Sequence, residues 1–263
     1  MKRLFMYLYA LLHCFYVFTV GYAFRKNRKL ISNMCELFDY QKVREFMDPG
    51  CRAIIPTIEI SDIIDDAVPV QLHELPWVDG NISLLELTVI IKLLKRSNPD
   101  RIFEIGTFDG RTTLNLACNS SEKAAVYTLD IPNQRKVHAE PSSLPADFSF
   151  VDKVPTGSRF RGRGCGKKII QLFGDSAVFD FSPYNDSIDF VFIDGAHTYD
   201  YILSDSKKAL KLLRNGKGII IWHDYSWVWA GVTKALNRLY KTDNRLSGVR
   251  HINGTSLVCC IKN

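Results

Sequence analysis

Five acidic positions and two histidines in this 263-residue chain stand where chemistry would need them, at or shortly after the ends of apolar runs. The first run ends in Glu104-Ile105-Gly106-Thr107-Phe108-Asp109-Gly110. Gly106 permits a tight turn, Gly110 permits close approach to the start of a following helix, and Glu104 leaves a carboxylate at the run's end. The second run ends in Asp130, placed to accept hydrogen bonds from a ribose. The third ends in Gly174-Asp175-Ser176, where an acid can meet an amino group of a purine. Any one of these acids is equally well read as a helix cap. Three in succession around one glycine loop point to a nucleotide-type ligand, and a dinucleotide loop of related form keeps a nicotinamide cofactor as an alternative.

Two further runs end in Asp194 and in His223-Asp224. The interval between Asp194 and Asp224 equals one helix plus one strand, so both carboxylates are expected side by side at one sheet edge. Unpaired acids there repel unless a cation lies between them, which suits a divalent metal held by Asp194, Asp224 and His223. His197 follows Asp194 by three residues, and imidazole titrates near working pH, so it is the candidate general base. The plainer alternative is that the acids cap helices and the histidines satisfy backbone groups.

The elements that must position these residues are legible from periodicity. Ser83-x-x-Glu86 is a capping-box signature ahead of a helix reaching about Arg96. Strands are expected at 101–105, 125–129, 168–173, 188–193 and 218–222, with helices at 111–118, 199–213 and 230–240. Apolar strands alternating with helices predict a doubly wound α/β fold whose parallel sheet is covered on both faces. Residues 249–252 and 255–261, joined by Asn253-Gly254, predict a hairpin that ends the sheet with one antiparallel strand, making seven strands in all. Residues 31–80 read as an irregular extension with one helix at 32–47, ahead of a main domain at 81–263. Residues 155–168 mix four glycines with Arg159, Arg161, Arg163, Lys167 and Lys168. A phosphate-gripping loop is one reading, and a solvated, mobile insertion is the favoured one.

The segment E-I-G-T-F-D-G-R-T-T at 104–113 resembles motif I of S-adenosylmethionine-dependent methyltransferases. V-F-I-D-G-A-H-T-Y at 191–199 and W-H-D-Y at 222–225 resemble the methyltransferase 24 type of that class I superfamily. The resemblance runs from about Val78 to Ile261 and implies a Rossmann-like methyltransferase fold. It implies a cofactor site of Glu104, Gly106, Thr107, Gly110, Asp130, Asp175 and Ser176, holding S-adenosyl-L-methionine. The expected activity is O-methylation of a small-molecule hydroxyl, assisted by Mg²⁺ or another divalent cation. Metal-dependent enzymes resembling catechol methyltransferase place a lysine base at the spacing where this chain has His197. They place Asn where this chain has Tyr225. Trp222, Tyr225, Trp227 and Trp229 form an aromatic group that either lines an acceptor pocket or packs the core. A nicotinamide-dependent oxidoreductase and a non-catalytic, membrane-tethered binding protein are the alternative functions.

Charge separates the head from the body. Residues 1–30 carry six bases and no acid, and without them the chain has 28 bases against 28 acids. A neutral body argues against nucleic acid as a partner. Leu4 to Phe24 is an uncharged run of 21 residues, long enough as one helix to span about 30 Å of hydrocarbon. This predicts a transmembrane anchor with the catalytic domain in the cytoplasm, a soluble cytoplasmic protein being the alternative. Seven cysteines without metal-type spacing suit a reducing compartment, with Cys118, Cys259 and Cys260 as core residues. A homo-oligomer is compatible with all of this.

Overall fold

The seven strands expected from the sequence and one further strand form an eight-stranded sheet in the computed structural model, which describes residues 2–24, 48–65, 67–76, 78–132 and 155–262. The chain divides into two compact units, Met1–Pro49 and Gly50–Asn263. The helix expected at 32–47 and the basic cluster from Arg25 to Lys29 lie outside the described residues.

In the first unit, α1 covers Lys2–Phe18. The expected 21-residue helix is corrected here. Thr19 leaves helical geometry at φ −110°, ψ −100°, and a separate 3₁₀ turn follows at Val20–Ala23. Seventeen residues reach about 25 Å at 1.5 Å each, short of a bilayer's ~30 Å core. Among the described residues no helix is long and apolar enough to cross a membrane.

In the second unit, β1 (Thr57–Ile58) and the single helical turn α2 (Ile60–Ile63) precede α3 (Leu84–Ser97). There follow β2 (Arg101–Ile105), α4 (Arg111–Asn119), β3 (Ala125–Asp130), β4 (Ile169–Phe173), β5 (Phe190–Ile193), α5 (Tyr199–Leu212), β6 (Gly218–Trp222), α6 (Ala230–Thr242), β7 (Arg250–Ile252) and β8 (Val258–Lys262). The sheet order is β1-β7-β8-β6-β5-β2-β3-β4. β2 to β6 are mutually parallel, and β8 runs antiparallel between β6 and β7, as the Asn253-Gly254 turn predicts. The eighth strand is β1, which pairs with β7 through Thr57↔His251 and Ile58↔Ile252. It comes from the segment read as irregular, and two residues are too few to show a strand period.

The capping box closes at α3, where Glu86 N–H donates to Ser83 Oγ and Glu86 Oε2 accepts from Ser83 N–H. Alternation along each strand sends side chains to two cores. Phe103, Val191, Ile193, Ile220 and Trp222 pack beneath α5 and α6, with Ile202, Ala209, Val232 and Leu236. Ile102, Phe190, Phe192, Ile219 and Ile221 face α3 and α4, with Leu87, Ile90, Leu94 and Leu116. Every one of these side chains is buried. That double burial is why the strands read as continuous apolar runs.

Register fixes where the chemistry emerges. Ile105 stands opposite both Leu129 and Ile193, and Ile193 opposite Trp222. The residues that follow these four therefore leave the sheet at one edge. Between β2 and β5 the winding reverses, which opens a crevice at that edge.

One cysteine expectation needs correction, that for Cys118, while Cys259 and Cys260 are core residues as expected. Cys118 at the end of α4 is disulfide-bonded to Cys165, whereas Cys259 and Cys260 are buried free thiols. The two partners are 47 residues apart in sequence, and only the return of the chain past α4 brings them together.

Candidate active site

A cavity of about 320 Å³ opens at the crevice between β2 and β5. Its volume suits a small-molecule site. Gly106 turns the chain out of β2 with φ +101°, and a Cβ there would lie 2.0 Å from the Asp194 carbonyl oxygen. Only glycine permits this approach of the β2 and β5 exits. Asp130 ends β3 and closes the loop from beside it, its Oδ2 accepting from Thr107 N–H at 3.0 Å and Phe108 N–H at 2.6 Å.

Of the expected cofactor residues, Gly106, Asp130, Asp175 and Ser176 line the cavity, and Glu104, Thr107 and Gly110 do not. Glu104 is fully buried, with Oε2 accepting from Thr113 and from Thr128 Oγ1 (2.5 Å). Burial raises its pKa to about 8 against the opposing effect of those two hydrogen bonds. Thr107 Oγ1 pairs with Thr128 Oγ1 at 2.7 Å in the same internal network. Gly110 admits a protein ring and not a ligand: a Cβ there would meet Phe160 Cδ1 at 2.6 Å.

Phe160 belongs to the glycine- and arginine-rich segment, which is solvated only in part: Arg161 to Gly164 are exposed, while Thr156, Gly157 and Phe160 are buried. Gly157 N–H donates to Phe108 O and Arg159 N–H to Asp109 O, both at 2.9 Å. Arg159 also bonds Asp109 Oδ2 (2.6 Å) and Glu74 Oε2 (2.8 Å), and Arg163 pairs with Glu74. Arg159 and Arg163 are thus engaged with protein acids, Arg161 donates to the Thr156 carbonyl at 3.0 Å, and the segment is docked against the β2–α4 loop.

The second half of the site is denser. At Asp224 the backbone turns through φ +64°, a left-handed conformation that non-glycine residues adopt at a cost. That turn brings its carboxylate to the cavity and sends Tyr225 into the core. Asp224 Oδ2 lies 2.7 Å from His197 Nε2, and its Oδ1 lies 3.2 Å from His223 Nδ1. The same His223 nitrogen is 2.9 Å from Asp194 Oδ1, and His223 Nε2 is 3.4 Å from Glu86 Oε2. Burial works to lower the His223 pKa, but Asp194 and Asp224 raise it well above the ordinary histidine value. Burial likewise opposes the ionisation of Asp224, yet His223 and His197 hold its carboxyl well below the usual range.

One nitrogen and two carboxylate oxygens from Asp194, His223 and Asp224 lie within 4.8 Å of one another. The 2.9 and 3.2 Å separations match the ~3 Å edge between adjacent ligands of an ion bonded at ~2.1 Å. These residues fit a divalent cation when His223 Nδ1 is unprotonated. Tyr225 takes no part: its hydroxyl accepts from Ile54 and Ile55 N–H (2.9 and 3.1 Å) and donates to Asn237 Oδ1 at 2.6 Å.

Of the aromatic group, Trp222 is buried with Nε1–H donating to Ser206 Oγ, and Tyr225 is core. Trp229 lines the cavity and stacks on His197, ring centroids 3.9 Å apart. Sequence reasoning missed Asp79, Asn81, Thr156 and Tyr201, which also line it. It also missed the reach of Glu86, whose Oε1 accepts from Ser256 N–H and Oγ. The capping box marked Glu86, but only its helical role was visible.

No curated protein sequence matches the chain. Residues 103–225 match the methyltransferase domain family of the methyltransferase 24 type. Among solved structures, the chain is similar to the O-methyltransferase TomG from Streptomyces achromogenes, involved in tomaymycin synthesis and solved with SAM. The TM-score is 0.50 at 17% identity, over 75% of this chain and 93% of that one. It is also similar to the SAH-bound Podospora anserina methyltransferase PaMTH1, with a TM-score of 0.50 at 18% identity over 70% and 81%. Sheet order, the glycine turn at β2 and the matched family agree. Residues 103–225 thus match a methyltransferase domain family, and the chain shares the fold of these methyltransferase structures.

Proposed function

We propose that this protein transfers a methyl group from S-adenosyl-L-methionine to a hydroxyl oxygen of a small molecule, with a divalent cation at Asp194, His223 and Asp224. The observation that carries this reading is His197, set on the cavity wall and joined to Asp224 at 2.7 Å. When bound, the cofactor supplies an electrophilic methyl on sulfur, and the ion supplies a Lewis acid that lowers the pKa of the hydroxyl. His197 accepts the hydroxyl proton, and the Asp224 carboxylate stabilises the imidazolium that forms. Trp229, stacked on His197, holds the ring plane and presents an apolar wall to the acceptor. Gly106 and Asp130 would hold the methionyl and ribose parts, and Asp175 and Ser176 the adenine. A positioned base and a fixed approach geometry together supply the rate enhancement.

The test is turnover of the full chain with isotopically labelled methyl donor, a panel of hydroxylated small molecules and Mg²⁺ or Mn²⁺, read by mass spectrometry. Label appearing on an acceptor oxygen supports the reading. Label on nitrogen or carbon, or none despite cofactor binding, rejects it.

A further inference from the structure

Three side chains of α5 reach the loop that follows β4. Tyr201, Asp205 and Lys208 are spaced four and three residues apart, so the helix stacks them in one row. Tyr201 donates its hydroxyl to Asp175 Oδ2 at 3.0 Å. Ser176 Oγ donates to Asp205 Oδ2 at 3.1 Å. Lys208 Nζ donates to the carbonyls of Ser176 and of Ala177, the latter at 3.0 Å, and its ammonium lies 5.3 Å from the centre of the Phe181 ring. Each of three consecutive loop residues is thus held by a different member of the row. Asp175 Oδ1 meanwhile accepts from Ala177 N–H at 2.8 Å, which fixes the carboxylate plane.

Asp205 makes this more than ordinary packing. It is fully buried, and its Oδ1 has no hydrogen-bond partner among the described residues. A buried carboxylate with one oxygen unsatisfied works against folding. Among the described residues, the one hydrogen bond it does make goes to a residue that lines the cavity.

We propose that the row Tyr201–Asp205–Lys208 sets base selectivity, positioning Asp175 and Ser176 to read a 6-aminopurine. The inference rests on the cofactor reading above. Tyr201 and Ala177 each engage one Asp175 oxygen, which leaves lone pairs on a cavity-lining carboxylate that suit an exocyclic amino donor. A carbonyl oxygen at the same place on the base would meet a carboxylate and be rejected.

Calorimetry on the full chain with S-adenosylhomocysteine and with S-inosylhomocysteine tests this. The native protein should prefer the adenosyl ligand by at least about tenfold, as expected for a hydrogen-bonding site facing the wrong partner. Tyr201→Phe should keep its thermal transition but lose most of that preference. Asp205→Ala should weaken adenosyl binding by about tenfold, and Asp205→Asn should restore it, because the amide oxygen still accepts from Ser176 Oγ. Near-isosteric Tyr201→Phe and Asp205→Asn keep the test usable where Asp205→Ala does not fold. An unchanged preference in Tyr201→Phe, or Asp205→Asn as weak as Asp205→Ala, overturns the inference while native binding preserves the cofactor reading. A native protein that binds neither ligand overturns both.

Discussion

His197 Nε2 lies 2.7 Å from Asp224 Oδ2, and the left-handed turn at Asp224 is what allows that contact. Replacing His197 with Ala removes the proposed base while leaving the cofactor loops intact. Turnover should fall by about 10²–10⁴, the usual contribution of a positioned base, with part of the loss recovered at high pH. Binding of S-adenosylhomocysteine should stay within about twofold. A variant with full turnover would show that the contact is structural.

The cluster of Asp194, His223 and Asp224 should bind Mn²⁺ in the native protein. Asp194→Ala and His223→Ala should each lose that binding, measured by calorimetry, and their activity should no longer respond to chelator. Activity in the native protein that is indifferent to chelator and to added metal would reject the ion's role.

Glu104 makes a statement about stability against pH. Its carboxyl releases a proton near 4.5 in the unfolded chain and near 8 in the fold. Between those values the native state binds more protons, so stability is fully present below about 4.5 and falls as pH rises towards 8. At about 1.4 kcal/mol per unit, the loss amounts to as much as about 5 kcal/mol. Glu104→Gln should abolish that dependence, so urea midpoints of the two proteins should diverge between pH 5 and 8. Parallel curves would mean that Glu104 is ionised in the native state.

The Cys118–Cys165 bond closes a loop of 47 residues. Chain-entropy arithmetic gives about 4 kcal/mol of stabilisation for a loop of that size at 25 °C. Thiol reduction, or Cys118→Ser, should therefore lower the thermal midpoint by several degrees or more. Alkylation followed by mass spectrometry checks the bond itself, and two free thiols at these positions would contradict the pairing.

Gly106→Ala should fail at a single point. The added methyl would meet the Asp194 carbonyl at 2.0 Å in a backbone conformation that alanine resists. Loss of soluble expression, or a melting point lowered by at least about 5 °C, is the expected outcome, and a native-like melting curve would refute it.

The amino-acid order by itself determined the parallel sheet, the capping box at Ser83–Glu86 and the hairpin at Asn253-Gly254, because each follows from periodicity or from local hydrogen bonding. It also determined which residues leave the strands together, since Asp130, Asp194 and Asp224 sit at strand ends and register aligns those ends. Which way each side chain turns was decided only by the tertiary structure. Glu104 is internal because the residue before Ile105 faces the Thr113–Thr128 side of the sheet, a matter of pleat that a strand-end position does not reveal. Asp224 reaches His197 and Tyr225 enters the core through one positive φ, which no residue type announces. Arg159 and Arg163 look solvated in sequence because their acids, Glu74 and Asp109, lie far away along the chain. The eighth strand and the Cys118–Cys165 bond have the same cause. Contacts between distant segments are made by packing, and local pattern carries no record of them.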